Sequence, residues 1–363
     1  MNLHRLRTII GIELRQRVRS VGWYVLLGVF AVILIALLSL SFAAFSLSSG
    51  GSEWFFSLVI MLVLLLTLLV SPTLSGSALN GDRDAATLAP VQVTLVTTSE
   101  IVIGKFLAAW ISGLAFLVVA LPFLVVATLA GELNPGAIVT SLGILILEVG
   151  VVAAIGVGLS AVVARPIFSV ASTYLLVAAL TVGTLIAFGL GGAALRTETT
   201  TVSRDVDWGA IPAGCDPGAP VRSADCPSFD ELPCVESRNV YEMPRFDRVW
   251  WILAANPFVI LADATPPSYV DGNPNDLFSQ IASGVRIAQL PPEAATSYDG
   301  CTTAAPGWNV DDYPTTEERI AGTAPSWFVG LLFQVLLAGG LLAWGIARTR
   351  TPAKRLPPGT RIA

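Results

Sequence analysis

The sequence predicts an all-α polytopic membrane protein with six transmembrane helices, both termini in the cytoplasm, and a large extracytoplasmic insert between helices 5 and 6. Three observations lead to this fold class: 54% of the 363 residues are hydrophobic, only 13% are charged, and six apolar stretches are long enough to cross a bilayer. A net charge of −5, with two lysines among 21 basic residues, gives a nucleic-acid partner no electrostatic basis. These numbers argue against a soluble enzyme, a nucleic-acid-binding protein and a disordered chain.

The six predicted spans each reach the helical length of about 20 residues that a bilayer core requires. They cover residues 22–47, 54–79, 106–130, 138–164, 167–194 and 326–347. The first is too long for a signal peptide and is followed at once by a second span, so we expect it to be retained. The predicted organisation is therefore an interfacial helix at 1–20, helices 1–5 at 21–194 with a cytoplasmic loop at 80–105, an extracytoplasmic segment at 195–325, helix 6 at 326–347, and a basic tail at 348–363.

Lys and Arg residues near the span ends predict the orientation, because cytoplasmic loops are enriched in them. Arg5, Arg7, Arg15, Arg17 and Arg19 precede the first span. Threading six spans from a cytoplasmic amino terminus places eight further basic residues on the same side, whereas the outer connections 48–53 and 131–137 hold none. Both termini are thus predicted to be cytoplasmic. The excess of Arg over Lys, with abundant Ala, Val and Gly, is typical of GC-rich bacteria, so we expect the bacterial cytoplasmic membrane.

All four cysteines lie in the predicted outer segment, where the compartment permits disulfide bonds. They are Cys215, Cys226, Cys234 and Cys301. We expect two disulfides, with three pairings open. A metal site is the rival interpretation, but the spacings and the single histidine, His4, predicted on the other side, disfavour it. The segment is acidic and rich in Pro and Gly, so it is predicted to be irregular or to form short strands held by the cystines.

Residues 249–290 are predicted to form a re-entrant region ahead of the last span. The stretch 249–264 is apolar but too short to cross and is broken at Asn256-Pro257, with Trp250 and Trp251 placed to anchor it at the membrane interface. A buried helix of the outer domain is the alternative. Residues 276–290 predict an amphipathic helix whose apolar face holds Leu277, Phe278, Ile281 and Val285.

The amino-terminal residues predict a basic amphipathic helix on the inner membrane surface. Apolar residues recur there at helical spacing among the arginines: Leu3, Leu6, Ile10, Leu14 and Val18. The alternative is that the positive charge only sets the topology.

The inner loop 80–105 is much longer than a turn, and long loops often present contact residues. Asp82, Arg83 and Asp84 open it with charge. Thr97 and Glu100 have the spacing of a capping box, which predicts a helix that runs through Gly104 and Lys105 into the third span.

Within the predicted spans, Glu148 is the one ionisable residue near the middle of the membrane. It is either a contact for substrate or a proton, or a neutral helix-packing group. Gly150, Ala154 and Gly158 form a small-residue face on the same helix, which favours close packing. Polar residues in the inner half of the second span, Thr67, Ser71 and Thr73, are candidates for lining a translocation path.

The inner loop resembles that of permease subunits of ABC-2 type ATP-binding cassette exporters. In that family an acidic-basic pair, a Gly-Thr-Leu-Glu element and a Thr-Pro-x-Ser-Arg-x-Glu element precede an apolar run closed by Gly-Lys. The matching residues here are Asp82-Arg83, Thr87-Leu88, Thr97, Glu100 and Gly104-Lys105, and the departures are Ala86, Ala89, Leu95 and Thr98. The resemblance extends over the six spans, the amino-terminal helix and the Asn256-Pro257 break, but residues 196–248 have no counterpart in the family.

This resemblance implies that the loop, with Asp82, Arg83, Asp84, Thr87, Leu88, Thr97 and Glu100, couples the chain to a separate ATPase subunit. That subunit would hold ATP and Mg, because nothing in this sequence reads G-x-x-x-x-G-K-[ST]. No cofactor is expected on this chain, which is not expected to be an enzyme by itself. A second permease copy, identical or related, would complete an exporter that works by alternating access.

Two other functions stay open. One is a non-transporting membrane protein whose cystine-stabilised outer domain binds a ligand or partner. The other is an ion-coupled secondary transporter, which one intramembrane Glu without a detectable internal repeat disfavours.

Overall fold

A computed structural model describes residues 2–45, 52–84, 96–130, 134–212, 215, 226–227, 232–303 and 314–349. Six helices in these ranges are long and apolar enough to cross a membrane, as the sequence predicts. Residues 85–95, including Thr87 and Leu88, and the tail from residue 350 onward lie outside the described residues, so what the sequence predicts for them stays a prediction.

The described residues ahead of the first strand contain eight α-helices. Their bounds are α1 Leu3–Val18, α2 Val21–Phe45, α3 Ser52–Ser75, α4 Asn80–Asp84, α5 Thr98–Ala130, α6 Pro135–Val162, α7 Pro166–Ala178 and α8 Thr184–Ala194. A π-helical turn, Ala179–Gly183, joins α7 to α8, so the two form one continuous candidate span.

The remainder forms a small sheet and further helices. The elements are β1 Arg196–Val206, β2 Cys234–Pro244, α9 Trp250–Ala254, α10 Pro257–Ala264, β3 Tyr269–Val270, β4 Asn273–Pro274, α11 Leu277–Ile287, β5 Ala295–Asp299, α12 Gly300–Thr303, α13 Thr316–Ile320 and α14 Trp327–Thr349.

Helix α6 is the centre of the packing. It contacts α3, α5, α7, α10 and α14, and most of its side chains are buried. It begins at Pro135, and the Asn134 side chain accepts a hydrogen bond from Gly136 N, which is a favourable helix start. The main core joins Phe30, Phe56, Phe116 and Leu145 from four helices. Helix α2 lies at the periphery, with most of its surface exposed.

The small residues of α6 permit two different close contacts. A Cβ at Gly158 would lie 2.8 Å from the backbone of Leu341 on α14, whereas one at Gly150 would lie 3.0 Å from the Trp110 ring on α5. The predicted packing role is therefore confirmed, but Gly150 and Gly158 face different neighbours. Helices α6 and α14 run side by side in the same direction, because Gly345 follows Leu341 along α14 and contacts Ala161.

The described residues of the predicted outer segment contain a three-stranded sheet in the order β2-β1-β5. Strands β1 and β2 pair antiparallel from Arg196↔Pro244 to Val206↔Cys234, and β5 runs parallel to β1. Each long strand has 11 residues, so the expectation of irregular structure or short strands is wrong for this part. The Thr- and Val-rich stretch 199–202 favours an extended chain, and that signal outweighed the surrounding Pro and Gly.

Both expected disulfides are present, between Cys215 and Cys226 and between Cys234 and Cys301. The second joins the start of β2 to α12. One of the three possible pairings is thereby selected.

The 249–264 stretch is broken at Asn256, as predicted, into α9 and α10. Ile260 of α10 belongs to the same core as Leu145 of α6, and a Cβ at Gly330 of α14 would overlap Ala254 O. The segment thus packs directly on two candidate spans. The predicted amphipathic helix is also confirmed as α11, where Phe278 and Val285 are buried.

Candidate functional site

Lys105 joins three elements at the predicted cytoplasmic ends of the helices. Its ammonium group forms ion pairs with Glu13 of α1 and with Asp82 of α4, at 2.6 Å for Asp82 Oδ2, and its side chain is only 4% exposed. A buried lysine is stable only when its charge is compensated, and here two carboxylates compensate it. We call Glu13, Asp82 and Lys105 the Lys105 cluster.

The capping box predicted for Thr97 and Glu100 is confirmed at the start of α5. Thr97 N donates to Glu100 Oε2 at 2.9 Å, and Glu100 N donates to the Thr97 hydroxyl at 3.3 Å. The other carboxylate oxygen accepts a hydrogen bond from Asn2 N at 2.7 Å, so the buried Glu100 also holds the start of α1.

Arg83 connects the short helix α4 to the ends of two spans. Its Nη2 donates to Ala161 O at 3.1 Å and to the Thr349 hydroxyl at 3.2 Å, near the carboxyl ends of α6 and α14. Carbonyl oxygens at a helix carboxyl end lack intrahelical partners and carry partial negative charge, which favours a guanidinium there. Asp84 is exposed.

Ser160 stabilises the break between α3 and α4. Its hydroxyl accepts hydrogen bonds from Leu79 N at 2.9 Å and Asn80 N at 3.2 Å, and it donates to Asn80 Oδ1. Arg17 of α1 donates to Leu74 O at 2.7 Å, just before this break. Sequence reasoning missed Ser160, Asn80 and Glu13. A usable signal was that Glu13 is the lone acidic residue in a basic helix.

These contacts change how the predicted coupling residues are interpreted. Asp82, Arg83 and Glu100 bind other parts of this chain, so they position the helix ends around the loop. The exposed members of the predicted set, within the described residues, are Asp84 and Thr97.

Two of the predicted path residues of α3, Thr67 and Thr73, bind their own helix. Thr67 Oγ1 donates to Val63 O and Leu64 O, both at 2.8 Å, and Thr73 Oγ1 donates to Val70 O at 2.6 Å. Thr67 and Ser71 are buried, whereas Thr73 is exposed.

Glu148 is 1% exposed, and neither of its carboxyl oxygens has a hydrogen-bond partner in the described ranges.

Asn256 fixes the break in the 249–264 stretch. Its Oδ1 accepts from Phe258 N at 2.9 Å and caps α10, in which Pro257 is the first residue. Its Nδ2 donates to Thr181 O at 2.7 Å and to the Thr184 hydroxyl at 2.9 Å, in and after the π-helical turn. Trp251 is 59% exposed and Trp250 is half-buried, and an exposed Trp is suited to a membrane interface.

Asp263 binds α10 to two other helices and was also missed from the sequence. Arg286 Nε of α11 donates to its Oδ1 at 2.7 Å. Its Oδ2 accepts from the backbone N–H groups of Ser326 and Trp327 and from the Ser326 hydroxyl, at the start of α14. The Asp263 side chain is fully buried. Helices α10, α11 and α14 are thus locked together through one carboxylate.

A cavity of about 510 Å³ lies between one face of the sheet and the region of α11 and α13. Tyr241, Met243 and Leu290 contribute apolar wall, and Glu293 and Arg319 contribute charges of opposite sign. Its size is within the range of small-molecule binding sites.

Comparison of this chain with known protein families, curated proteins and solved structures found no match. The class established by the fold is a mostly helical chain with six helices capable of crossing a membrane.

Proposed function

We propose that the chain is the membrane-spanning permease subunit of an ATP-driven ABC-2 type transporter, working as an exporter by alternating access. In this proposal a separate ATPase subunit holds ATP and Mg, a second permease copy completes the pathway, and the complex lies in the bacterial cytoplasmic membrane with both termini of this chain in the cytoplasm.

One observation carries the proposal: both flanks of the inner loop are joined to the helix ends. On one flank, Asp82 binds Lys105 of α5, and Arg83 binds Ala161 of α6 and Thr349 of α14. On the other flank, Glu100 binds Asn2 ahead of α1. A displacement of residues 85–95 would therefore be transmitted to four helices. That connection is what coupling between an ATPase and a permease requires.

The proposal assigns two roles to the loop residues. Asp82, Arg83 and Glu100 position the loop and transmit its movement, while Asp84 and Thr97, which are exposed, contact the ATPase together with residues of 85–95. The partial loop resemblance and the six spans support the class of partner.

The test is to purify the full chain gently from its own host and to identify the proteins that co-purify by mass spectrometry. A stoichiometric partner with a G-x-x-x-x-G-K-[ST] motif is expected, and replacing Asp84 and Thr97 together with alanine should reduce its recovery. Replacing Glu198 and Glu236 on the outer strands is the matched control and should leave recovery unchanged. If no such ATPase is found, even after crosslinking in intact membranes, the proposal is wrong.

A second candidate is favoured by the cavity beside the sheet. If the chain has no ATPase partner, we infer that the outer domain binds a ligand there and that the spans serve as its anchor. Replacing Tyr241 with alanine should then abolish ligand binding without affecting membrane insertion.

A further inference from the structure

Glu148 lies in the middle of α6, where the surrounding helices enclose it. Its two carboxyl oxygens are hydrogen-bond acceptors when the group is ionised, and neither has a donor within the described part of the chain. A buried charge without a partner is strongly unfavourable, and more so in a membrane-spanning helix.

A second unpartnered acceptor is present on the neighbouring helix α14. Gln334 is 1% exposed, and its Nε2 donates to Ala255 O at 3.0 Å, at the break between α9 and α10. Its Oε1 is buried and has no donor among the described residues. The amide is therefore satisfied on one side only.

The register of α6 and α14 places these two groups about one helical turn apart along the helix axes. Gly158 contacts Leu341, and the two helices run in the same direction. Glu148 precedes Gly158 by about 15 Å of helix axis, and Gln334 precedes Leu341 by about 10 Å, at 1.5 Å per residue. They thus differ in height by about one helical turn, which is within the reach of two long side chains.

Helical periodicity places the two side chains on faces that contribute to one buried cluster. Ile155 lies two turns beyond Glu148 on the same face of α6, and Ala338 lies one turn beyond Gln334 on the same face of α14. Ile155 and Ala338 belong to one buried cluster. Glu148 and Gln334 therefore lie on the helix faces that supply Ile155 and Ala338 to this cluster.

Within the described residues, no neighbouring element offers Glu148 a counter-ion. Helix α3 has no ionisable side chain from Trp54 to Ser75. On the other elements packed against α6, the titratable and charged groups are Lys105 and Glu100 of α5, Tyr174 of α7, Asp263 of α10 and Arg348 of α14. Lys105, Glu100 and Asp263 bind the partners given above, Tyr174 OH donates to Leu69 O at 2.8 Å, and Arg348 is exposed near the carboxyl end of α14.

We infer that Glu148 is a proton-binding site: the carboxyl group carries a proton and donates it in a hydrogen bond to Gln334 Oε1. Two facing acceptors satisfy each other only when one of them gains a proton. The proton then links α6 through Gln334 to Ala255, and so to the Asn256 break and the π-helical turn. Removing the proton sets a carboxylate against an amide oxygen and disfavours this packing. The inference does not depend on the identity of the partner protein.

Infrared spectroscopy of the purified full-length protein in lipid nanodiscs tests the site directly. At neutral pH the wild-type spectrum should contain a C=O stretch of a protonated carboxylic acid that is lost in Glu148→Gln. In Gln334→Leu the band should persist but move to higher frequency, because its hydrogen bond is gone. The exposed Glu198→Gln is the matched control and should leave the band unchanged. Identical wild-type and Glu148→Gln spectra would overturn the inference.

Thermal unfolding gives an independent second readout. At about pH 4 both the folded and the unfolded wild type carry the proton, and Glu148→Gln supplies an N–H donor to Gln334, so the two proteins should have equal Tm there. As pH rises above that value, the wild type should lose stability relative to Glu148→Gln, because its unfolded state releases the proton that its folded state still holds. A Glu148→Gln variant that is less stable at every pH, or a difference in Tm that is independent of pH, would contradict a bound proton.

Discussion

Asp263 and Ser326 are joined by two hydrogen bonds, in which the backbone N–H and the hydroxyl of Ser326 both donate to one carboxylate oxygen. The carboxylate lies at the amino end of α14, where unpaired N–H groups favour negative charge. Because Asp263 also binds Arg286, the helix pair α10–α11 is held to the start of the last candidate span.

Replacing Asp263 with alanine should therefore destabilise the protein strongly. Removing one partner of a buried ion pair costs about 3 to 5 kcal/mol. Ser326→Ala should cost only about 1 kcal/mol, because the backbone N–H still donates to Asp263. Thermal unfolding in detergent measures both variants, with the exposed Glu236→Ala as the control. If Asp263→Ala and Glu236→Ala lower the Tm equally, the contacts of Asp263 with Arg286 and Ser326 contribute nothing to stability.

The Lys105 cluster leads to a prediction about the amino-terminal helix. Lys105→Met leaves Glu13 and Asp82 without their cation, so α1 should detach, with a destabilisation on the order of 3 kcal/mol. Adding Glu13→Gln should recover part of the loss by removing one of the two negative charges. Protease cleavage within α1 measures detachment, and Arg196→Met, at an exposed ion pair, is the control. If α1 stays as resistant to protease in Lys105→Met as in the wild type, the Lys105 cluster does not hold α1 in place.

The two disulfides should differ in their contribution to stability. Cys234–Cys301 closes a sequence separation of 67 residues and Cys215–Cys226 one of 11. Loop-closure entropy assigns about 4 kcal/mol to the first and about 3 kcal/mol to the second. Double Cys→Ser variants of each pair, compared by thermal unfolding, test the order. Peptide mapping without reduction should recover these two pairs, and any other pairing would refute the described connectivity.

Orientation in the membrane can be measured with single cysteines, because all four native cysteines are in disulfides. Asp84→Cys and Glu236→Cys place thiols at exposed positions on opposite predicted sides. In intact cells a membrane-impermeant maleimide should label Glu236→Cys, and it should label Asp84→Cys only after the membrane is permeabilised. Labelling of both in intact cells, or the reverse pattern, would show that the threading is wrong. The unreduced wild type serves as the background control.

The sequence alone determined the elements whose signals are local. The six spans follow from the length of the apolar runs, the start of α5 from the Thr97–Glu100 spacing, and the break before α10 from Asn256-Pro257. Each depends on residues within a few turns of one another, because helix length and helix starts are set by nearby side chains. The presence of two disulfides followed likewise from four cysteines predicted to share one compartment.

Only the tertiary structure decided the partners of polar residues that are distant in the chain. The sequence assigns Asp82 and Glu100 to the coupling loop but does not show that they bind Lys105 and Asn2. Asp263 carried no local signal, and its partner Ser326 is 63 residues away. Helical periodicity shows on which side of a helix a side chain lies, but it does not show which residue of the neighbouring helix it contacts. That partner depends on the register between the helices, which is set by packing, as at Gly158 and Leu341. For that reason the cystine pairing emerges only from the folded chain, as does the helix register on which the inferred contact of Glu148 with Gln334 rests.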